Sequence, residues 1–404
     1  MNTDLKRSPL PALLSNPAWQ RTGSYYLLVI CLGLGNAIIG PTLPALAAQT
    51  RSQLGDLGLA FLVSSMGFTL GTVLASRVID HVSPHAAIGV AQLASAGAIV
   101  LVPLAPSLPV LLAVLVFKGL ADGVVNAGAN TLLVWVHRDK VGPFMNGMHF
   151  CFGVGAFSAP LLVAQVIGTP GGYRWVYWAV AGIGLVASLL ALALRESPKP
   201  EHHPERTAEE GHLELPVITS AALMLFCYVG AEVAFGGWVY TYAVQLRLAS
   251  AVGAAYLTSA FWLAFTIGRL ISIPMATRVA ARTTILGALA GCLALLVGAI
   301  ALPGSSAVVW TLAIGLGLCM APIWPTGYTL AGQSVRFTAR ASAMILLGDS
   351  FGGMVLPWLS GQVIERAGAQ AMLYLVLGSV AGTLLAFGAM QYWRRAAARP
   401  VLEL

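Results

Sequence analysis

The chain has 404 residues, of which 58% are hydrophobic and only 9% are Asp, Glu, Lys or Arg, against roughly 25% charged residues in soluble globular proteins. This composition excludes an ordinary soluble protein. The charged residues cluster between apolar stretches of about 20 residues, which are long enough to cross a bilayer as helices. The net charge of +7 does not indicate a nucleic-acid partner, because Lys and Arg lie between the spans, where they set orientation. The sequence predicts an all-α membrane protein in contact with the lipid bilayer.

Apolar runs between charged, proline and glycine breaks predict twelve transmembrane helices. In chain order they cover residues 24–48, 55–79, 86–104, 108–136, 142–168, 174–195, 216–246, 251–277, 284–302, 306–333, 340–364 and 370–393. The predicted domains are a cytoplasmic tail at 1–23, a six-helix bundle at 24–195, a polar cytoplasmic loop at 196–215, a second six-helix bundle at 216–393 and a cytoplasmic tail at 394–404.

The distribution of basic residues predicts the orientation. With the N-terminus inside, sixteen of the 22 Lys and Arg residues fall on the cytoplasmic side and four fall outside. Because positive charge is enriched in cytoplasmic loops, both termini are expected in the cytoplasm of a cell inner or plasma membrane.

The two halves resemble one another. Residues 160–167 read PLLVAQVI and residues 357–364 read PWLSGQVI, five identities in eight at an offset of 197, which also places Gly40 on Gly237. Parallel repeats of six helices are the arrangement of the major facilitator fold, in which two bundles rock about a site near the membrane midplane. We therefore expect twelve transmembrane helices in two six-helix bundles of that fold.

Ionisable residues inside the spans are candidates for ion coupling, because a charge at the bilayer centre costs at least about 2.5 kcal/mol. The acidic candidates are Glu232 in span seven, Asp122 in span four and Asp349 in span eleven. For Asp122 an internal pair with Lys118 is equally favoured, since the two are four residues apart. Glu232 has no basic residue within a helical turn, and permanent pairing with Arg269 of span eight would make its role structural.

Polar residues on helix faces are candidates for substrate binding. Asn126 and Asn130 share a stripe of span four that faces either the central cavity or a neighbouring helix. Asn36 lies in span one, the repeat counterpart of the helix that carries Glu232. Asn146 and His149 share a face of span five.

Three aromatic residues are further substrate-binding candidates. Trp238 follows Glu232 in span seven, while Trp324 and Tyr328 lie where prolines at 322 and 325 should break span ten. An aromatic ring packs well on the apolar face of a sugar. Trp and Tyr are also ordinary bilayer-interface residues, so a role in the lipid boundary stays open.

No pattern predicts catalysis, a metal or a cofactor. His149 has no intramembrane partner of the kind that an enzyme needs. His81 and His85 have the spacing of helical metal ligands, but they flank Pro84 in a short polar turn and are expected to be solvated.

Four segments carry a resemblance to a known family. They are ADGVVNAGAN in span four, GPFMNGMHFCFGVGAFSAPLL in span five, YVGAEVAFGGWVYTYAV in span seven and YLTSAFWLAFTIGRL in span eight. Together they resemble the sodium-dependent glucose transporter branch of the major facilitator superfamily, which is related to bacterial fucose permease. The acidic residues of the fucose permease pattern in spans four and one are replaced by Asn126 and Asn36, so coupling is expected at Asp122, Glu232 or Asp349.

The resemblance implies a monomeric secondary transporter that moves a hexose such as glucose by alternating access, driven by sodium or protons. Two alternatives are a drug or metabolite exporter of the same fold and a nutrient sensor that binds without transport. The exporter is disfavoured because span five lacks the GP-rich antiporter pattern, having Gly153, Gly155 and a distant Pro160. The sensor is disfavoured because no long tail or signalling domain is visible.

Overall fold

The structure is a computed structural model that describes residues 17–194, 198, 215–332 and 339–397. In chain order these residues form the helices α1 (Pro17–Ala37), α2 (Ile39–Thr50), α3 (Gly58–His81), α4 (Pro84–Leu101), α5 (Leu108–His137), α6 (Val141–Val166), α7 (Gly172–Ala193), α8 (Leu215–Gln245), α9 (Ala251–Met275), α10 (Ala281–Ala301), α11 (Ser306–Met320), α12 (Ile323–Gly332), α13 (Ala339–Ala367) and α14 (Ala371–Ala397).

These helices supply the twelve predicted spans. Ten stretches are long and apolar enough to cross a membrane, and the bent pair α1 and α2 adds an eleventh. One of the ten, at residues 108–166, contains two long helices, α5 and α6, and therefore counts as two spans. The total is twelve. The chain is therefore a multi-pass membrane protein.

Two spans are broken where proline interrupts the helix. Span one bends by 49° between α1 and α2, next to Pro41, which cannot donate a backbone hydrogen bond to Ala37. Span ten stops at Met320 and resumes at Ile323, around Pro322. The predicted break in span ten is thus confirmed, and the bend in span one is an additional one.

The first six and last six spans form two bundles. In the first, α3 packs along α5, α1 along α6 and α4 along α7; in the second, α8 packs along α13 and α14, and α9 along α11. Glycines allow the closest approaches: a Cβ at Gly67 would lie 2.2 Å from the carbonyl oxygen of Val116. In lipid there is no hydrophobic driving force between helices, so their association depends on the close van der Waals packing that small residues allow. The predicted pair of six-helix bundles is confirmed.

The bundles meet at one end of the molecule, which we call the closed end. There α2 touches α8 so closely that a Cβ at Gly40 would lie 2.7 Å from the carbonyl oxygen of Gly237. The loop before α3 is held by α13, because Gly55 N–H donates to Glu365 Oε2 (3.1 Å) and Gln362 Nε2 donates to the Gly55 carbonyl (3.0 Å).

A second contact between the bundles joins α6 to α9 along their length. Ser259 Oγ donates to the Phe157 carbonyl at 2.7 Å, and a Cβ at Gly153 would lie 2.2 Å from Thr266 Oγ1. Gln165 Nε2 donates to Tyr256 OH at 2.8 Å. Since Gln165 is the repeat counterpart of Gln362, equivalent glutamines cross the same boundary in both halves.

One prediction about a turn is wrong. His81 is exposed, as expected, but His85 is buried and its Nε2 lies 2.7 Å from the hydroxyl of Tyr25. The reason is that Pro84 starts α4 instead of extending the turn, which places His85 on the first helical turn, facing α1.

Candidate functional site

Two adjoining chambers lie between the bundles. The small chamber, of about 280 Å³, is walled by α1, α2, α3, α5, α6, α8, α9 and α13 and reaches the closed end. The large chamber, of about 650 Å³, lies between α6, α8, α9, α10, α12 and α13. Val229, Glu232 and Asp349 line both chambers, so the two predicted carboxylates stand at their junction.

The first bundle contributes a buried ion pair to the small chamber. Lys118 Nζ lies 2.6 Å from Asp122 Oδ2, and Ser95 Oγ donates to Asp122 Oδ1 at 2.5 Å. Lys118 Nζ also donates to Asn36 Oδ1 at 3.4 Å. Both oxygens of Asp122 are thus occupied, which favours the internal pair over a coupling role for this residue.

The carboxylates of the second bundle are arranged differently. Asp349 Oδ1 accepts a hydrogen bond from Trp324 Nε1 at 2.9 Å. Glu232 lies one helical turn from Tyr228 on α8, and the Tyr228 hydroxyl donates to the Met320 carbonyl at 2.8 Å. The one proton of this phenol is thus donated to the backbone.

Arg269 is the basic residue of the large chamber. Its guanidinium lies 4.6 Å from the centroid of the Phe265 ring, and its Nε is buried without a hydrogen-bond partner. Within the described ranges, no ion pair shorter than 4.0 Å joins Arg269 to Glu232 or Asp349. The structural alternative for Glu232, a permanent pair with Arg269, is not what this conformation shows.

One guanidinium and two carboxyl groups leave this cluster one positive charge short when all three are ionised. In a low-dielectric site that imbalance is costly, and a proton or a monovalent cation at the carboxylates removes it. The arrangement is therefore suited chemically to binding a cation and releasing it.

Four further predicted residues belong to the large chamber or its wall. Asn146 and His149 line the chamber from α6, and Trp324 lines it from α12. Tyr328 lies behind Trp324: the two rings stack with centroids 5.2 Å apart, and the Tyr328 hydroxyl is 2.6 Å from Ser342 Oγ. The large chamber thus has polar side chains on α6 and an aromatic side chain on α12.

Three predicted substrate-binding residues lie outside both chambers. Asn126 and Asn130 bond to one another, with Asn130 Nδ2 donating to the Asn126 carbonyl at 2.8 Å. Asn126 lies one helical turn beyond Asp122, which is the last residue of α5 that lines the small chamber. Trp238 is fully buried and donates its N–H to the Pro357 carbonyl at 2.8 Å, which seals the closed end.

Several lining residues were not predicted as site residues. Lys118 and Arg269 were visible as charges within spans, and each was considered as a partner for an acid, but neither was predicted as a substrate-binding residue. The hydroxyl groups of α3 left no such signal, because Ser and Thr are common in membrane helices. They are Ser64, Ser65 and Thr69.

Comparison with known proteins defines the class. A profile of the Major Facilitator Superfamily matches residues 25–347, and the chain belongs to this family. Sodium-dependent glucose transporter 1A of Mus musculus is 27% identical over 406 residues, covering 90% of this chain and 95% of that protein. Major facilitator superfamily domain-containing protein 4A of Homo sapiens is 24% identical, with 90% of each chain covered.

Solved structures show the same fold. A bacterial homologue of the human lysosomal transporter Spinster, in an inward-facing and occupied conformation, aligns with a TM-score of 0.76 at 14% identity over 96% of this chain and 98% of its own. A D-xylose-proton symporter aligns with a TM-score of 0.74 at 15% identity over 93% and 97%. With the family profile and the curated relatives, this fold makes the chain a membrane transporter and not an enzyme.

Proposed function

We propose that this transporter carries a neutral hexose such as glucose together with a cation, sodium or a proton. The observation that carries the proposal is the placement of Glu232 and Asp349 at the junction of the two chambers, without an ion pair to Arg269. A cation bound there would lie next to both chambers and could therefore interact with a substrate in either one. Coupling of ion and substrate requires such an interaction.

The remaining lining supports a sugar as the substrate. Sugars are recognised by aromatic faces and by amides and carboxylates that bond to hydroxyl groups. The chambers offer the indole of Trp324, the amides of Asn36 and Asn146 and the imidazole of His149. The similar proteins named for glucose and xylose agree with this substrate class.

The orientation predicted from basic residues completes the proposal. With both termini in the cytoplasm of an inner or plasma membrane, the closed end faces outward and this structure corresponds to an inward-facing state of a monomer. Import would then begin when α2 and α8 part at Gly40 and Gly237.

Reconstituted proteoliposomes test the proposal. Uptake of labelled glucose, galactose, mannose and fucose is measured with sodium and proton gradients imposed separately. Accumulation of a hexose above its equilibrium level with one of the two gradients is expected. Equal uptake with and without gradients would refute coupling, and transport of lipophilic cations without any sugar would favour the exporter.

A further inference from the structure

The amide of Asn36 has a defined direction in the small chamber. Its neighbours Gly35 and Ala37 are buried, whereas the Asn36 side chain is exposed where it lines the chamber. Its recorded partner is Lys118, whose Nζ lies 3.4 Å from Oδ1.

The chemistry of lysine fixes which end of the amide points where. A lysine ammonium has three donors and no acceptor, so the Asn36 oxygen must face Lys118 and the amide nitrogen must face away. Asn36 Nδ2 donates to no other described residue. The amide nitrogen therefore presents unused N–H donors to the chamber.

Lys118 is itself held in place from two sides. Its ammonium is bound by Asp122 at 2.6 Å, and Ser95 holds the other oxygen of that carboxylate. Gly35 makes room for the lysine chain, because a Cβ there would lie 3.2 Å from Lys118 Cε and 3.3 Å from Nζ. The orientation of Asn36 is thus set by a connected polar network.

The opposite wall has the reverse polarity. Glu232 and Asp349 reach the same chamber from the second bundle, and an ionised carboxylate is an acceptor only. Asn36 therefore offers donors from the first bundle, and the two carboxylates offer acceptors from the second.

We propose that Lys118 is a positioning residue that orients Asn36, so that the first bundle donates to an oxygen lone pair of the substrate while the second bundle accepts its hydroxyl protons. This inference rests on the proposed sugar substrate and adds its orientation. A neutral polyol would lie in this chamber with the oxygens of one edge accepting hydrogen bonds from α1. The hydroxyl groups of its other edge would donate to the carboxylates of α8 and α13.

Deoxy and deoxyfluoro analogues of the transported hexose distinguish the two edges. A C–F group keeps a weak acceptor and loses the donor, while a deoxy position loses both. Binding to the purified full chain is measured by titration calorimetry. At the position that contacts Asn36, the wild type should bind the fluoro sugar at least about threefold more tightly than the deoxy sugar.

Two variants then test the residues themselves. Asn36→Asp keeps the shape but turns an acceptor toward the substrate, so it should lower affinity for that fluoro sugar by about tenfold or more while the parent hydroxyl, which can rotate, loses less. The double variant Lys118→Met with Asp122→Asn removes the pair without leaving a lone buried charge. Like Asn36→Asp, it should lower the ratio of the affinity for the fluoro sugar to the affinity for the parent hexose. A general folding defect would not change this ratio.

Gly182→Ala is the fold control, since nothing lies within 4 Å of a Cβ there. An unchanged fluoro-to-parent ratio in Asn36→Asp at every position of the sugar, with wild-type binding intact, overturns the inference and leaves the proposed function standing. An unchanged ratio in the double variant removes Lys118 from the role. Failure of the wild type to bind any hexose overturns both proposals.

Discussion

Single residues balance charge differently in the two bundles. In the first, Lys118 and Asp122 neutralise one another at 2.6 Å. In the second, Glu232 and Asp349 share the neighbourhood of Arg269 without an ion pair inside 4.0 Å in the described part of the chain. Since an uncompensated charge in a membrane interior is expensive, the second bundle is where a bound cation lowers the energy most.

Replacement of Glu232 by Gln tests this assignment. The variant keeps the shape and hydrogen-bonding capacity and removes the charge, so gradient-driven sugar accumulation should be lost while equilibrium sugar binding changes only a few-fold. Uptake under imposed gradients and binding by calorimetry are measured on the same preparation. Normal accumulation would contradict the role, and Asp349→Asn, measured in parallel, would show whether the coupling charge lies there.

The asparagines provide a matched pair of predictions. Asn36→Ala should weaken sugar binding by about 1–3 kcal/mol, because a substrate oxygen enclosed in the chamber would lose its hydrogen-bond donor. Asn126→Ala should leave the affinity unchanged, because Asn126 bonds to Asn130 outside both chambers. Calorimetric titration with the transported hexose measures both. A large loss in Asn126→Ala and none in Asn36→Ala would return the binding role to span four.

At this scale the sequence showed which residues could carry function but not their partners. Charges within spans are visible in a linear sequence because they are rare there, so Glu232, Asp349 and Lys118 could be selected. Whether Asp122 pairs with Lys118 depends on rotamers and on Ser95 of another helix. The face on which Trp238 lies depends on tertiary packing, which local spacing does not contain.

Helices as elements were largely predictable, since length and hydropathy follow from the bilayer. Their ends were less so: α1 begins at Pro17 instead of residue 24, because helical hydrogen bonding can continue into polar sequence beyond the apolar core. The break in span ten followed from Pro322. The bend of span one at Pro41 was overlooked because the apolar run continues across it.

The contact between α6 and α9 depends on a residue without a side chain. In Gly153→Ala the new Cβ would lie 2.2 Å from Thr266 Oγ1, which is too close, so the two helices must separate. Overpacking of this kind costs about 1–3 kcal/mol, and the melting temperature should fall by several degrees. Gly182→Ala, with no neighbour within 4 Å, is the control. Thermal unfolding in detergent measures both, and equal melting temperatures would show that the interface is loosely packed.

At the scale of the whole molecule, two hydrogen bonds from α13 help to hold the closed end. The peptide of Gly55 is bound at both its groups, by Glu365 and by Gln362. Opening at this end must break both hydrogen bonds, each contributing about 0.5–1.5 kcal/mol.

The double variant Glu365→Ala with Gln362→Ala should therefore shift the protein several-fold toward the state open at this end. A cysteine at Ser65, which lines the small chamber, reports this opening in a background without the five native cysteines. Its labelling by an impermeant reagent added from the closed-end side should accelerate. An unchanged labelling rate would mean that the packing of Gly40 on Gly237, and not these bonds, keeps the end shut.

On the proposed function, the unequal charge of the cluster at Arg269 would also make the transport cycle sensitive to voltage. On the proposed function, the empty cavity with both carboxylates ionised carries one excess negative charge, and binding of one monovalent cation cancels it. The loaded protein would then change conformation without moving net charge, while the returning empty protein would carry a negative charge outward. An inside-negative membrane potential favours that return, by up to about 2.3 kcal/mol per 100 mV if the charge crosses the whole field. The reset of the carrier, and not the import step, would be the electrogenic half of the cycle.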